Sequence, residues 1–122
     1  MIDFKNGSFV KLKKTNSTPQ DLEALLIMGE EVIGTYKGMR DYVVFTTKRV
    51  ISCNVQGLTG QKRDYTSLPY SKIQAFSVET AGAFDIDSEL ELYFSSLGKV
   101  KFEFFGDTDI KEISEYIAQH VL

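Results

Sequence analysis

The segment Phe84–Phe104, FDIDSELELYFSSLGKVKFEF, decides the fold. Phe84, Ile86, Leu90, Leu92 and Phe94 share one parity, and Asp85, Asp87, Glu89, Glu91 and Tyr93 share the other. Such alternation marks a strand with one buried and one wet face, because successive side chains point to opposite sides. Ser95-Ser96-Leu97-Gly98 reads as a hairpin connection, after which Val100, Phe102 and Phe104 resume the apolar parity. Lys99 and Lys101 fall on the outer face, across from acidic residues of the preceding strand, and opposite charges favour that pairing. The expectation is an antiparallel hairpin with Phe84 and Ile86 inside.

Upstream, Glu31–Lys37, Asp41–Thr46, Arg49–Val55, Lys62–Leu68 and Tyr70–Val78 are strand-like runs rich in β-branched and aromatic residues. They are separated by Gly38-Met39, Thr47-Lys48, the polar loop Gln56–Gln61 and Pro69. Ile73 is out of phase with Phe76 and Val78, which predicts a bulge. Residues 30–105 therefore hold about seven antiparallel strands. Downstream, Ile110, Ile113, Ile117 and Val121 recur at helical spacing, predicting an amphipathic helix over 107–121 capped by Asp107 or Thr108. Near the start, Ser17 or Thr18 caps a short helix over 18–28, with Leu22, Leu25 and Leu26 as its stripe and Gly29 as its stop. Residues 1–17 read as a loosely packed basic arm, in which Lys5, Lys11, Lys13 and Lys14 face Asp3 alone before residue 15. Seven such strands with one apolar face curl into a barrel or two packed sheets, and the last helix closes an open end.

The chain has 122 residues, 43% hydrophobic and 25% charged, which rules out a disordered polymer. It is long enough for one domain, 1–122, with its own core. A formal charge of -3 argues against a dedicated nucleic-acid binder. Cys53 is the single cysteine, so no internal disulfide forms, and its apolar strand predicts a buried thiol. No apolar run reaches the length of a signal peptide or a membrane span, and the chain reads as soluble and cytoplasmic.

Five pieces carry a more specific resemblance: Tyr36–Asp41 (YKGMRD), Phe45–Arg49 (FTTKR), Gln56–Gly60 (QGLTG), Pro69–Ile73 (PYSKI) and Glu79–Leu90 (ETAGAFDIDSEL). In this order they resemble the small bacterial pleckstrin-homology-domain proteins, formerly a domain-of-unknown-function family. The resemblance spans nearly the whole chain and is weakest at its start. It implies a mainly β, pleckstrin-homology-like barrel with a C-terminal amphipathic helix, often assembled as a ring-shaped homo-oligomer. It implies neither a catalytic activity nor a ligand.

Catalytic signatures are poor. The single histidine, His120, sits at the end of the last helix and reads as a capping or solvent residue. No nucleophile elbow, zinc-protease motif or phosphate-binding lysine loop is present. Asp85, Asp87, Glu89 and Glu91 form a carboxylate row, which reads as a solvent face neutralised by Lys99 and Lys101, with an inter-subunit contact or a hard-metal site as lesser readings. Lys37, Arg40, Lys48 and Arg49 are the candidate anion-binding cations, with Lys48 and Arg49 also read as a solvated turn paired with Asp64 or Glu31. Phe4, Phe9, Lys11, Lys13, Lys14, Asp85, Asp87, Glu89 and Glu91 are candidates for an assembly surface. The leading functional expectation is a non-catalytic, cofactor-free binding and assembly module. It self-associates, with five subunits as first guess, and takes a protein or peptide partner. The alternative is an adaptor for an anionic membrane headgroup, and a metal-dependent enzyme ranks below both.

Overall fold

The computed structural model describes residues 1–5 and 9–122. The elements are β1 (Phe9–Thr15), α1 (Gln20–Glu23), β2 (Val32–Lys37), β3 (Tyr42–Thr46), β4 (Arg49–Gln56), β5 (Lys62–Pro69), β6 (Ile73–Glu79), β7 (Ser88–Phe94), β8 (Gly98–Phe104) and α2 (Ile110–Val121). A 3-10 turn at Tyr70–Lys72 joins β5 to β6. The strands form one sheet in the order β5-β4-β3-β2-β1-β8-β7-β6. Its pairs are antiparallel except β1 with β8, which is parallel.

Two expectations about the barrel are corrected. The sheet has eight strands, not seven, and it does not close, because β5 and β6 lie at opposite ends of the strand order. Pro69 ends β5 without an N–H to donate, and the 3-10 turn then redirects the chain before β6 starts. A groove of about 420 Å³, lined in part by Leu68, Ile73, Phe94 and Leu97, remains at this seam. Ile2 is buried nearby in the main core, and its N–H donates to Thr66 Oγ1 at 3.0 Å.

The eighth strand is β1, within the stretch expected to be a loose arm, of which residues 6–8 lie outside the described residues. It bridges the two halves of the sheet, with Phe9 and Leu12 buried. The helix expected over 18–28 contracts to one turn, α1, preceded by Pro19 with no side-chain cap. Thr18 Oγ1 instead shares a 2.6 Å hydrogen bond with Thr35 Oγ1. Leu22 is buried, whereas Leu25, Ile27 and Met28 are exposed. The long alternating strand also shortens: β7 starts at Ser88, leaving Phe84 and Ile86 exposed in the β6–β7 loop. The Ile73 bulge is present as a register shift between Ile73 and Ala75.

The main core joins the inner face of the sheet to Ile110, Ile113 and Ile117 of α2. Asp109, not Asp107 or Thr108, caps that helix, its Oδ1 accepting from the N–H groups of Lys111 (3.1 Å) and Glu112 (3.3 Å). A second cluster of Leu22, Val44, Ile51 and Cys53 lies on the other side of β3 and β4. These strands are therefore buried on both faces, which accounts for their nearly continuous apolar runs.

One buried ion pair ties this second layer down. Glu30, whose side chain is fully buried, receives Arg49 Nε and Nη2 at 2.9 Å each. Thr46 Oγ1 donates to it at 2.6 Å and the Ile27 N–H at 3.1 Å. Arg49 also donates to Ser67 Oγ and to the Leu25 carbonyl, both at 2.9 Å. Burial pushes the Glu30 carboxyl up, but these donors, Arg49 foremost, bring it down to about 2. A depressed carboxyl stabilises the fold above its unfolded value, and that stability is lost as pH falls from about 4.5 toward 2. Urea melts at pH 7 will show Glu30→Gln destabilised by about 3 kcal/mol, as expected for a broken buried pair. The difference will shrink between pH 4.5 and 2, and an equal difference throughout would overturn the assignment.

Candidate functional site

The four cations singled out in the sequence separate. Lys48 and Arg49 lie at the β3–β4 turn, and Arg49 is engaged by Glu30 rather than by Asp64 or Glu31. Lys37 and Arg40 lie at the other end of the strands, where the β2–β3 turn meets the β4–β5 loop. There they join Arg63, which sequence reasoning missed. A shallow cavity of about 370 Å³ is lined by Lys37, Arg40 and Arg63 together with Tyr42, Val55 and the Leu58–Gly60 loop. Among the described residues, no carboxylate residue lines it.

Local chemistry shapes this cradle. The Gly38 N–H donates to the Asp41 carbonyl at 2.8 Å, closing the β2–β3 turn. Asp41 Oδ1 accepts from the Val55 N–H (3.0 Å) and from Asn54 Nδ2 (3.3 Å), binding that turn to the end of β4. Arg40 Nη2 donates to the Gly57 carbonyl, which joins the two loops. Gly57 and Gly60 hold φ of +75° and +68°, backbone that side-chain-bearing residues rarely adopt. The Lys37 ammonium stands 5.5 Å from the Tyr42 ring centre. Met39 and Leu58 project from the two tips, 95% and 106% exposed.

The candidate assembly residues are distributed differently. Phe9 is buried and Phe4 half-buried, packed on each other (5.9 Å) and on Phe102. Lys11 reaches Asp87 at 2.6 Å, so the basic stretch and the carboxylate row meet within one chain. Lys14 pairs with Glu112 at 2.8 Å, and Lys13 lies 5.2 Å from the Phe105 ring centre. Asp85 Oδ1 accepts from the Asp87 N–H at 3.2 Å. Lys101 pairs with Glu89 and stands opposite Glu91, whereas Lys99 stands opposite Tyr93.

Reactive groups are occupied structurally. Burial pushes the Cys53 thiol up, away from the thiolate. His120 Nδ1 lies 2.7 Å from the Tyr116 carbonyl, and its ring packs on Tyr70. Among the described residues, no group of three or more His, Cys, Asp or Glu is placed to hold a metal ion. No helix among them is long and apolar enough to cross a membrane.

Comparison with known proteins agrees with the fold. Residues 3–121 match the model of a family described as the bacterial PH domain. The chain is 42% identical over 106 residues to the uncharacterized protein YjqA of Bacillus subtilis, covering 85% of each. It is similar to the crystal structure of a DUF1696 family protein with a pleckstrin-homology domain from Shewanella loihica. There the TM-score is 0.79 at 37% identity, over 95% of this chain and 100% of the other. A pleckstrin homology domain from Shewanella amazonensis gives a TM-score of 0.65 at 43% identity, over 84% and 83%.

The geometry separates tip residues that hold the fold from those that only project. Met39→Ser and Leu58→Ser will each leave the unfolding free energy from urea melts within about 0.5 kcal/mol of wild type. Asp41→Ala will cost about 1–3 kcal/mol, because it leaves the Val55 N–H without its acceptor. Losses of similar size in all three variants would contradict this division.

Proposed function

The chain belongs to the bacterial PH domain family, and on that premise we propose that the cradle at the hairpin tips docks on an anionic membrane surface. Membership makes the chain a non-catalytic binding module. The observation that carries the finer reading is the cluster of Lys37, Arg40 and Arg63 around one cavity without a carboxylate, flanked by exposed Met39 and Leu58. Cations meet headgroup phosphates, while the two apolar tips enter the interface between headgroups and acyl chains. Attraction between exposed charges is screened by salt, with a Debye length of about 10 Å at 0.1 M.

Sedimentation with vesicles of phosphatidylcholine plus 30 mol% phosphatidylserine, roughly the anionic range of a charged leaflet, tests the reading. The expected result is pelleting at low salt that falls at least about fivefold at 0.5 M NaCl, with three cations each contributing about 1 kcal/mol near such a surface. Met39→Ser/Leu58→Ser will weaken it at both salts, and Lys37→Ala/Arg63→Ala will remove most of its salt dependence. Equal pelleting with neutral vesicles, or none with either, would overturn it.

A second reading rests on a different observation. Among the described residues β6 pairs only with β7, and β5 only with β4, so the sheet ends on two strands with an unpaired side. Such edges recruit further strands unless covered, and repetition of one head-to-tail contact closes a ring when its rotation fits. We propose that β6 carries a contact between copies, in a ring of five subunits as the first model. Native mass spectrometry and light scattering across a dilution series will give a closed oligomer that Ala75→Lys/Ser77→Lys dissociates. A strict monomer at tens of micromolar would refute assembly, and a stable dimer would refute the ring.

A further inference from the structure

The start of β7 is fastened to β1 and β8 by charged groups that neither the cradle nor the β6 edge uses. Asp87 is only 9% exposed. Its Oδ2 receives Lys11 Nζ at 2.6 Å, whereas its Oδ1 is buried and meets no donor. Among the described residues Lys11 is the one non-glycine residue at positive φ, +54°. It sits where the β1–β8 register shifts between Phe9 and Leu12. Left-handed backbone at a residue with a Cβ persists only where the surroundings hold it.

Register brings Glu103 of β8 opposite Glu89 of β7, and the Glu103 carboxyl comes within hydrogen-bonding reach of Asp87. Two partly buried carboxylates in contact resist double ionisation. Burial, then the contact with Asp87, pushes Glu103 up, while Lys11 foremost holds Asp87 down. Lys11 of β1, Asp85 of the β6–β7 loop and Glu89 of β7 are the charged groups facing the pair, and Glu89 is itself bound by Lys101 at 3.3 Å.

We infer that Glu103 carries a proton and donates it to the orphaned Asp87 Oδ1, so that Lys11, Asp87 and Glu103 form a proton-operated latch on the β6–β7 loop. That loop carries exposed Phe84 and Ile86. Its end is seated closely on Gly106, where an added Cβ would stand 2.9 Å from the Ile86 carbonyl oxygen. The proton supplies the donor that Asp87 Oδ1 lacks. A carboxyl whose folded value is raised stabilises the closed form below its ordinary value. That contribution is lost as pH rises through the raised value, when Asp87 meets a second negative charge.

The test is carbon-13 carboxyl titration of the full chain, combined with amide-exchange protection factors for residues 85–88 between pH 4.5 and 8. Glu103 will titrate above the exposed glutamates, and protection will fall several-fold across the same interval. Glu103→Gln retains an N–H donor toward Asp87 and will flatten this pH dependence at the protected level. Glu103 titrating with the exposed glutamates, or protection unchanged through its titration, would overturn the latch. A Glu103→Gln chain with the wild-type pH profile would do the same. If that variant fails to fold, the wild-type titration and exchange profile decide alone.

Discussion

The layer outside β3 and β4 depends on the ion pair between Glu30 and Arg49. Moving either charge out of water costs several kcal/mol, and the attraction repays that only when the remaining polar sites are also satisfied. Here they are: Glu30 receives Arg49, Thr46 and Ile27, and Arg49 reaches Ser67 and Leu25 as well. Three separate stretches of chain are fixed at one point, namely residues 25–30, the β3–β4 turn and β5. A single helical turn such as α1 has no stability of its own in water. Leu22 stays on Val44, Ile51 and Cys53 because the chain leaving α1 is anchored at Glu30. The same anchor commits the Arg49 guanidinium to Glu30, Ser67 and the Leu25 carbonyl.

What the sequence made legible was local. The Phe84–Phe104 hairpin and the last helix show their periods locally, and both form, the hairpin starting at Ser88 and the helix at Ile110 with Asp109 as its cap. β1 was illegible because its bulge at Lys11 breaks the alternation and its partners, β2 and β8, lie far along the chain. Phe84 and Ile86 carry the correct parity but precede the strand, since the chain bends at Ala83 and Phe84, where the Gly82 N–H donates to the Asp85 carbonyl at 2.6 Å. Of the cradle, Lys37 and Arg40 were legible because they flank one turn. Arg63 was not, because only the β4–β5 pairing, Val55 opposite Arg63, brings it to the same end. Glu30 was missed as the partner of Arg49 because Glu31 and Asp64 are equally acidic in sequence, and burial alone distinguishes them.

The open seam has a physical cause that alternation does not encode. Closing the sheet requires β5 and β6 to exchange hydrogen bonds along their length. Pro69 and the 3-10 turn intervene, and the Tyr70 hydroxyl is drawn inward to the Thr46 carbonyl at 2.7 Å. Tyr70 also packs on His120, so the terminus of α2 lies against the same corner. The core is thus completed by side chains, among them Ile2, where a barrel would complete it by strand pairing.

Net charge conceals how the cations are divided. Arg49, Lys11, Lys14 and Lys101 each have a carboxylate partner, that of Lys101 across its own hairpin and the others from more distant parts of the chain. No ion pair among the described residues involves Lys37, Arg40 or Arg63. Arg40 is held by a backbone carbonyl, which fixes its position without cancelling its charge. A chain of formal charge -3 can therefore present a positive end. Potential near a surface is set by charges within about a Debye length, not by the sum over the molecule. The carboxylates that make the total negative include Asp87, Glu89 and Glu112, which are engaged by lysines elsewhere on the fold. The balance of charge was a sound argument against a protein basic over its whole surface, and carried no information about a patch that four β-strands and two loops assemble at one end.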